Sequence, residues 1–181
     1  MRKIRFVAPA LLLLAACRPA PELPVIARIG ELRLETSLGT EITAADLEGK
    51  VHVVDFIFTS CQMACPLMTA KMKQLYDEYA GEAELGFLSV STDPANDTVE
   101  VLHEYAQRFG VDETRFVFGR APVDEVVRLS EKEFLLGAAG LPAGHSLKFV
   151  LVDRDRQIRG YYDSEDPEDL EELRRGLDAL L

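Results

Sequence analysis

The 181-residue sequence contains no tryptophan, only three cysteines and only three histidines. Three cysteines are too few for a disulfide-stapled scaffold, and a chain of this length can bury a core without one. Basic residues are also scarce: 20 Lys and Arg stand against 31 Asp and Glu, a formal net charge of −11. That balance excludes a nucleic-acid binder, which needs a basic face; an acidic surface serves solubility. No internal period of roughly 20–50 residues recurs, which excludes solenoids and propellers. Twelve Gly and nine Pro without a repeat exclude collagen-like and low-complexity chains. With 48% hydrophobic and 28% charged residues, what is present is an ordinary globular chain with one domain and a tail.

The tail reads as an address. Arg2, Lys3 and Arg5 precede an apolar run from Phe6 to Leu14, broken by Pro9. The run is too short to cross a bilayer as a helix, which needs about 20 apolar residues. A basic start followed by a short apolar core is the pattern of a secretory signal peptide. It ends in Leu14-Ala15-Ala16-Cys17, which resembles the lipobox of bacterial lipoproteins. Residues 1–16 are therefore expected to be removed and Cys17 lipidated. Arg18 to Pro24 carries three prolines in seven residues, a semi-rigid spacer. Residues 17–29 are read as a tether and 30–181 as the domain. The expected compartment is the bacterial cell envelope, facing the periplasm or extracytoplasmic space, where disulfides persist.

The domain reads as α/β. Glu31–Thr36 and Thr40–Thr43 around Gly39 suggest a β-hairpin. Val51–Thr59 is almost continuously apolar and rich in β-branched and aromatic residues, as in a strand buried on both faces. Pro66 opens a helix to Ala80, with Leu67, Met68, Met72, Leu75, Tyr76 and Tyr79 at helical spacing. Strands follow at Leu85–Val90, Arg115–Phe118, Leu147–Val152 and Ile158–Tyr162. Helices are expected from Thr98 to Phe109, from Val123 to Phe134, and after Pro167. The order matches a thioredoxin-like fold with insertions: a central mixed sheet flanked by helices, with an N-terminal hairpin.

The chemistry concentrates at Cys61-Gln62-Met63-Ala64-Cys65-Pro66, between a buried strand and a helix N-terminus. Unpaired N–H groups and the helix dipole stabilise an anion there, so a thiol loses its proton more readily. On a helix, residues four apart carry Cβ atoms about 5–6 Å from each other. Two such sulfurs can chelate one ion, and a modest loop adjustment also permits a disulfide. A purely structural disulfide, or two buried thiols, is the plain alternative. Among the histidines, His52 lies about 30 Å along the strand from the cysteine end, and His103 falls on a solvated helix. His145 lies in the loop before the strand that abuts the cysteine pair in a thioredoxin-like fold, and so can complete a two-sulfur, one-nitrogen site. Thiolates select soft ions such as Cu(I), while imidazole suits copper and zinc alike; spacing does not decide between them. Met68 reads as core, Met63 as a shield rather than a ligand, and Asp163–Glu172 as a solvated face. Asp93-Pro94 and Asp97-Thr98 read as turn and cap residues.

Six segments in order sharpen this: Gly49-Lys50, Asp55-Phe-Ile-Phe-Thr-Ser-Cys61, Cys65-Pro66, Ser91-Thr-Asp-Pro-Ala-Asn-Asp-Thr98, Gly144-His145-Ser146 and Arg159-Gly-Tyr-Tyr162. Together they resemble the Sco/SenC/PrrC family of copper proteins over about residues 30–181. The resemblance implies a membrane-tethered, thioredoxin-like protein that assists assembly of the binuclear CuA centre of cytochrome c oxidase. It assigns copper, as Cu(I) or Cu(II), to Cys61, Cys65 and His145. Gln62 departs from the proline that family members often carry after the first cysteine. The implied partners are the CuA-bearing oxidase subunit and a further copper chaperone or thiol reductant; a lipid on Cys17 supplies the membrane contact. Two functions share Cys61 and Cys65: a metallochaperone, and a thiol–disulfide reductase that keeps the CuA cysteines reduced. His145 is needed mainly for the first.

Overall fold

A computed structural model describes residues 23–181; the expected signal peptide (residues 1–16) and Cys17 lie outside them. At the centre is β4 (Val51–Ile57), buried along its whole length. The short N-terminal strands are β1 (Ala27–Arg28), β2 (Arg33–Thr36) and β3 (Glu41–Thr43), followed by a 3-10 turn at Ala44–Leu47. After β4 come α1 (Ala64–Glu78), β5 (Leu85–Ser91), α2 (Val99–Phe109) and β6 (Phe116–Arg120). Then α3 (Val123–Arg128) runs into a π turn, and β7 (Lys148–Val152), β8 (Gln157–Asp163) and α4 (Pro167–Leu180) complete the fold. One eight-stranded sheet has the order β1-β8-β7-β4-β5-β6-β2-β3. β4, β5 and β6 are parallel neighbours, and the other pairings are antiparallel. This is the expected mixed, thioredoxin-like sheet, and the β2–β3 hairpin extends it beyond β6.

Alternation along β4 explains its composition. Val51, Val53 and Ile57 face a core made with Met68, Met72 and Leu75 of α1, Leu102 and Tyr105 of α2, and Leu173 and Leu177 of α4. Val54 and Phe56 face a second core with Leu34, Leu47, Leu88, Val126, Phe134 and Ile158. A strand sandwiched between two apolar layers needs apolar side chains at nearly every position. Met68 is 2% exposed, so its role is packing. His52 is buried on the second face, where β4 pairs it with Gly86. A Cβ at that glycine would come within 2.7 Å of the imidazole, so only glycine leaves room for the ring.

Two boundaries differ from expectation. α1 begins at Ala64, so Cys65 lies inside its first turn and Pro66 one residue further in. Proline is harmless there because the first four N–H groups of a helix have no intrahelical acceptor. The segment read as the end of the tether pairs with the sheet: Ala27 and Arg28 form β1 against β8, and Arg159 donates to the carbonyls of Leu23 and Pro24. A two-residue strand next to a proline-rich stretch leaves no periodic signal. His103 is exposed on α2, as expected, with its Nδ1 2.9 Å from the buried Glu113 carboxylate. As expected, Thr98 caps α2 by accepting from the Val101 N–H.

Candidate metal and redox site

β4 ends at Ile57, and a tight turn, closed by Cys61 N–H donating to Phe58 O at 3.3 Å, delivers the chain to α1. Cys61 is half-buried on this turn, and Cys65 is fully buried. The Cys65 N–H donates to Cys61 Sγ at 3.5 Å. From the far end of the sequence, the loop before β7 brings His145 to the same point, with Nε2 3.3 Å from Cys65 Sγ. His145 Nδ1 lies 3.0 Å from Ser146 O. A carbonyl only accepts, so Nδ1 carries the ring proton and the Nε2 lone pair faces the sulfur. The Phe58 ring packs edge-on against the imidazole at 5.6 Å and excludes water from that side. Phe58, Cys61, Met63, Ala143, His145 and Leu147 line a cavity of about 490 Å³. A larger cleft of about 1160 Å³ between the hairpin and α3 holds none of the predicted site residues.

The two thiols differ sharply. Burial pushes the Cys61 thiol up, but the N–H groups of Cys65, Met63 and Ala64 and the Cys65 thiol together outweigh it, leaving Cys61 below its ordinary value. This is the helix N-terminus acting on a thiolate. Burial dominates at Cys65 and pushes it up to about 12, with neighbouring negative charge on Cys61 and Asp55 adding to the rise. Burial lowers His145, which is therefore neutral and able to offer a lone pair at neutral pH. Cys61 is thus the accessible nucleophile and Cys65 the shielded partner. Cys65 and His145 already meet. Among the described residues, no three His, Cys, Asp or Glu side chains converge on one ion position. Cys61 lines the same cavity.

Sequence reasoning left three residues out of the site. Asp55 lies on the helix-side face of β4, fully buried; Ser89 Oγ donates to its Oδ1 at 2.6 Å, while Oδ2 has no partner. A charged residue inside an apolar run was the available signal. Asp97 is not a cap: it is fully buried and accepts from Thr59 and Ser91. Thr92 reaches the histidine loop through Pro142 O at 3.3 Å. Met63 is 79% exposed at the cavity mouth, and nothing in its packing makes it a ligand.

Comparison with known proteins places the fold. The family model described as SCO1/SenC matches residues 26–180. A curated SCO1 protein homolog from Bacillus subtilis is 30% identical over 126 residues, covering 66% of this chain and 65% of the relative. The chain thus spans just under two thirds of that relative's length. A solved SCO1/SenC family lipoprotein from Bacillus anthracis superposes with a TM-score of 0.77 at 27% identity, over 85% of this chain and 95% of that one. BsSco, described as a cytochrome c oxidase assembly protein with a disulfide switch, gives a TM-score of 0.77 at 24% identity, over 87% and 95%. Copper-bound ScoI of Arabidopsis thaliana gives 0.67 at 21% identity, over 82% and 99%; at these last two identities the likeness is one of fold.

Proposed function

The chain belongs to the SCO1/SenC family, and from that premise we propose that it is a copper metallochaperone that helps assemble the CuA centre of cytochrome c oxidase. The observation that carries the reading is the meeting of Cys65 Sγ and His145 Nε2 at 3.3 Å, beside Cys61. Two thiolates and one imidazole make a soft donor set suited to copper. Three protein ligands leave a position open to an incoming donor. That openness suits an ion held as cargo, because a closed four-ligand site releases its metal slowly. Binding displaces the proton from the less acidic Cys65. Thiol acidity thereby becomes part of copper affinity.

The contrast between the thiols supports a second reading, thiol–disulfide exchange. The Cys61 thiolate attacks one sulfur of a partner disulfide, forming a mixed disulfide and releasing one partner thiolate. Cys65 then attacks Cys61, releases the second partner sulfur and leaves Cys61–Cys65 oxidised; two electrons pass to the partner. His145 has no necessary part in that exchange, and its placement favours copper. Lipidation at Cys17 is the proposed anchor in the bacterial cell envelope; the B. anthracis neighbour is described as a lipoprotein. Cys17→Ser is expected to move the protein from the detergent phase to the aqueous phase, and unchanged partitioning would contradict the anchor.

Anaerobic copper titration of the reduced domain tests the ligand set. The parent is expected to bind one ion. Cys61→Ser and Cys65→Ser are expected to lose both copper binding and disulfide formation. His145→Ala is expected to keep the disulfide and bind copper more weakly, most visibly Cu(II). Parent-like binding of both oxidation states by His145→Ala would put the reductase reading first.

A further inference from the structure

Asp97 lies on the loop between β5 and α2, 38 residues from its main partner, Thr59. Its carboxylate is fully buried. Thr59 Oγ1 donates to Oδ1 at 2.5 Å, and the Thr59 N–H donates between the two oxygens at 3.3 and 3.2 Å. Ser91 Oγ donates to Oδ2 at 2.5 Å. Among the described residues, no Lys, Arg or His forms an ion pair with it. A carboxylate taken out of water without a cation is expensive, and here hydrogen bonds from Thr59 and Ser91 compensate it. Such a group persists where it fixes a conformation that an apolar pair would leave loose.

What it fixes is the entry to the cysteine turn. Thr59 stands two residues before Cys61, next to Phe58, whose carbonyl closes that turn. The same β5–α2 loop grips the end of the cysteine strand and the histidine loop. Thr92 N–H donates to Ile57 O at 2.7 Å. The Thr92 hydroxyl lies 3.1 Å from Ile57 O and 3.3 Å from Pro142 O, three residues before His145. The loop is braced from within: Asp93 N–H donates to Ser91 Oγ at 3.1 Å, and Asp97 N–H donates to Asp93 O at 2.8 Å. One loop therefore touches both halves of the site and contributes no ligand to it.

We propose that Asp97 is a positioning residue: by holding Thr59 it sets the register of the Cys61–Cys65 turn, while Thr92 of the same loop holds the histidine loop against it. The proposal rests on the reading that Cys61, Cys65 and His145 form the working site. The N–H groups that lower the Cys61 thiol, and the geometry in which the two sulfurs can bond, both depend on that turn. Loosening it is expected to change the dithiol–disulfide equilibrium, whereas a purely structural role changes global stability alone.

The test equilibrates the protein with dithiothreitol at fixed pH, without metal: protein disulfide plus dithiol gives protein dithiol plus cyclic disulfide. Asp97→Asn keeps the shape but replaces an acceptor with a donor. It is expected to shift the equilibrium constant about tenfold or more from the parent. Thr59→Val, which removes only the hydroxyl bond, is expected to shift it in the same direction, and Thr59→Ser to restore the parent value. If Asp97→Asn fails to fold, the Thr59 pair carries the test. Val126→Ala, in the core on the other sheet face, is expected to lower stability and leave the constant at the parent value. Parent-like constants in Asp97→Asn and Thr59→Val would overturn the positioning role while leaving the site reading intact. A parent that forms no reversible Cys61–Cys65 disulfide would overturn the site reading and this proposal with it.

Discussion

Asp55 is expected to destabilise the fold at neutral pH, in a way that one substitution exposes. Burial lifts its pKa from 3.8 to about 7, and the single hydrogen bond from Ser89 offsets little of that. Between those two values the native state binds more protons than the unfolded chain. Stability is therefore full below about pH 4 and lost as pH rises through 7. Each pKa unit is worth about 1.4 kcal/mol, so ionised Asp55 costs about 4 kcal/mol by pH 8. Asp55→Asn removes the ionisation and keeps an acceptor for Ser89. Its amide leaves a donor unpaired where Oδ2 has no partner, at a penalty of about 1–3 kcal/mol. The protonated carboxyl of the parent carries a similar penalty at low pH. The expected result, from urea unfolding of reduced, metal-free protein, is a gain of about 1 kcal/mol at pH 4.5 that grows to about 4 kcal/mol at pH 8. Equal differences at both pH values, or a loss at pH 8, would refute the reasoning.

Further outcomes follow from the same environments. In reduced protein at pH 7.5, iodoacetamide is expected to alkylate Cys61 at least tenfold faster than Cys65, read by peptide mass mapping; equal rates would show that the thiols are not differentiated. Burial lowers His52 to about 4, so the unfolded chain takes up a proton that the native state refuses, and stability falls as pH drops from 6.5 toward 4. The fall is up to about 3 kcal/mol. Asp55 opposes it over the same window, so the parent stays nearly level while Asp55→Asn shows the acid loss in urea midpoints. Gly86→Ala is expected to cost about 2 kcal/mol or more by urea denaturation, because the new methyl meets the His52 ring.

The sequence carries the fold wherever a local pattern suffices. The apolar run at Val51–Thr59 declares a strand covered on both faces, and proline and helical spacing declare α1 to within two residues. The cysteine pair and His145 are legible once the fold is assumed, because topology alone brings the loop before β7 to the N-terminus of α1. Asp97 is not legible. Aspartate before threonine at a helix start is explained by capping preference, and its contact with Thr59 is a long-range property of packing. β1 escapes for a related reason: two residues are too few for a period, and their pairing is decided by β8. Asp55 stands between these cases, since a lone charge within an apolar strand is visible but its partner is not.

X-ray absorption at the copper edge tests the central claim most directly. Reduced protein loaded with one equivalent of Cu(I), and separately of Cu(II), is compared with His145→Ala. The account predicts two sulfur scatterers in every parent sample and an imidazole nitrogen pattern in the Cu(II) sample that His145→Ala lacks. A parent spectrum without the imidazole contribution, or one that His145→Ala reproduces in full, would contradict it.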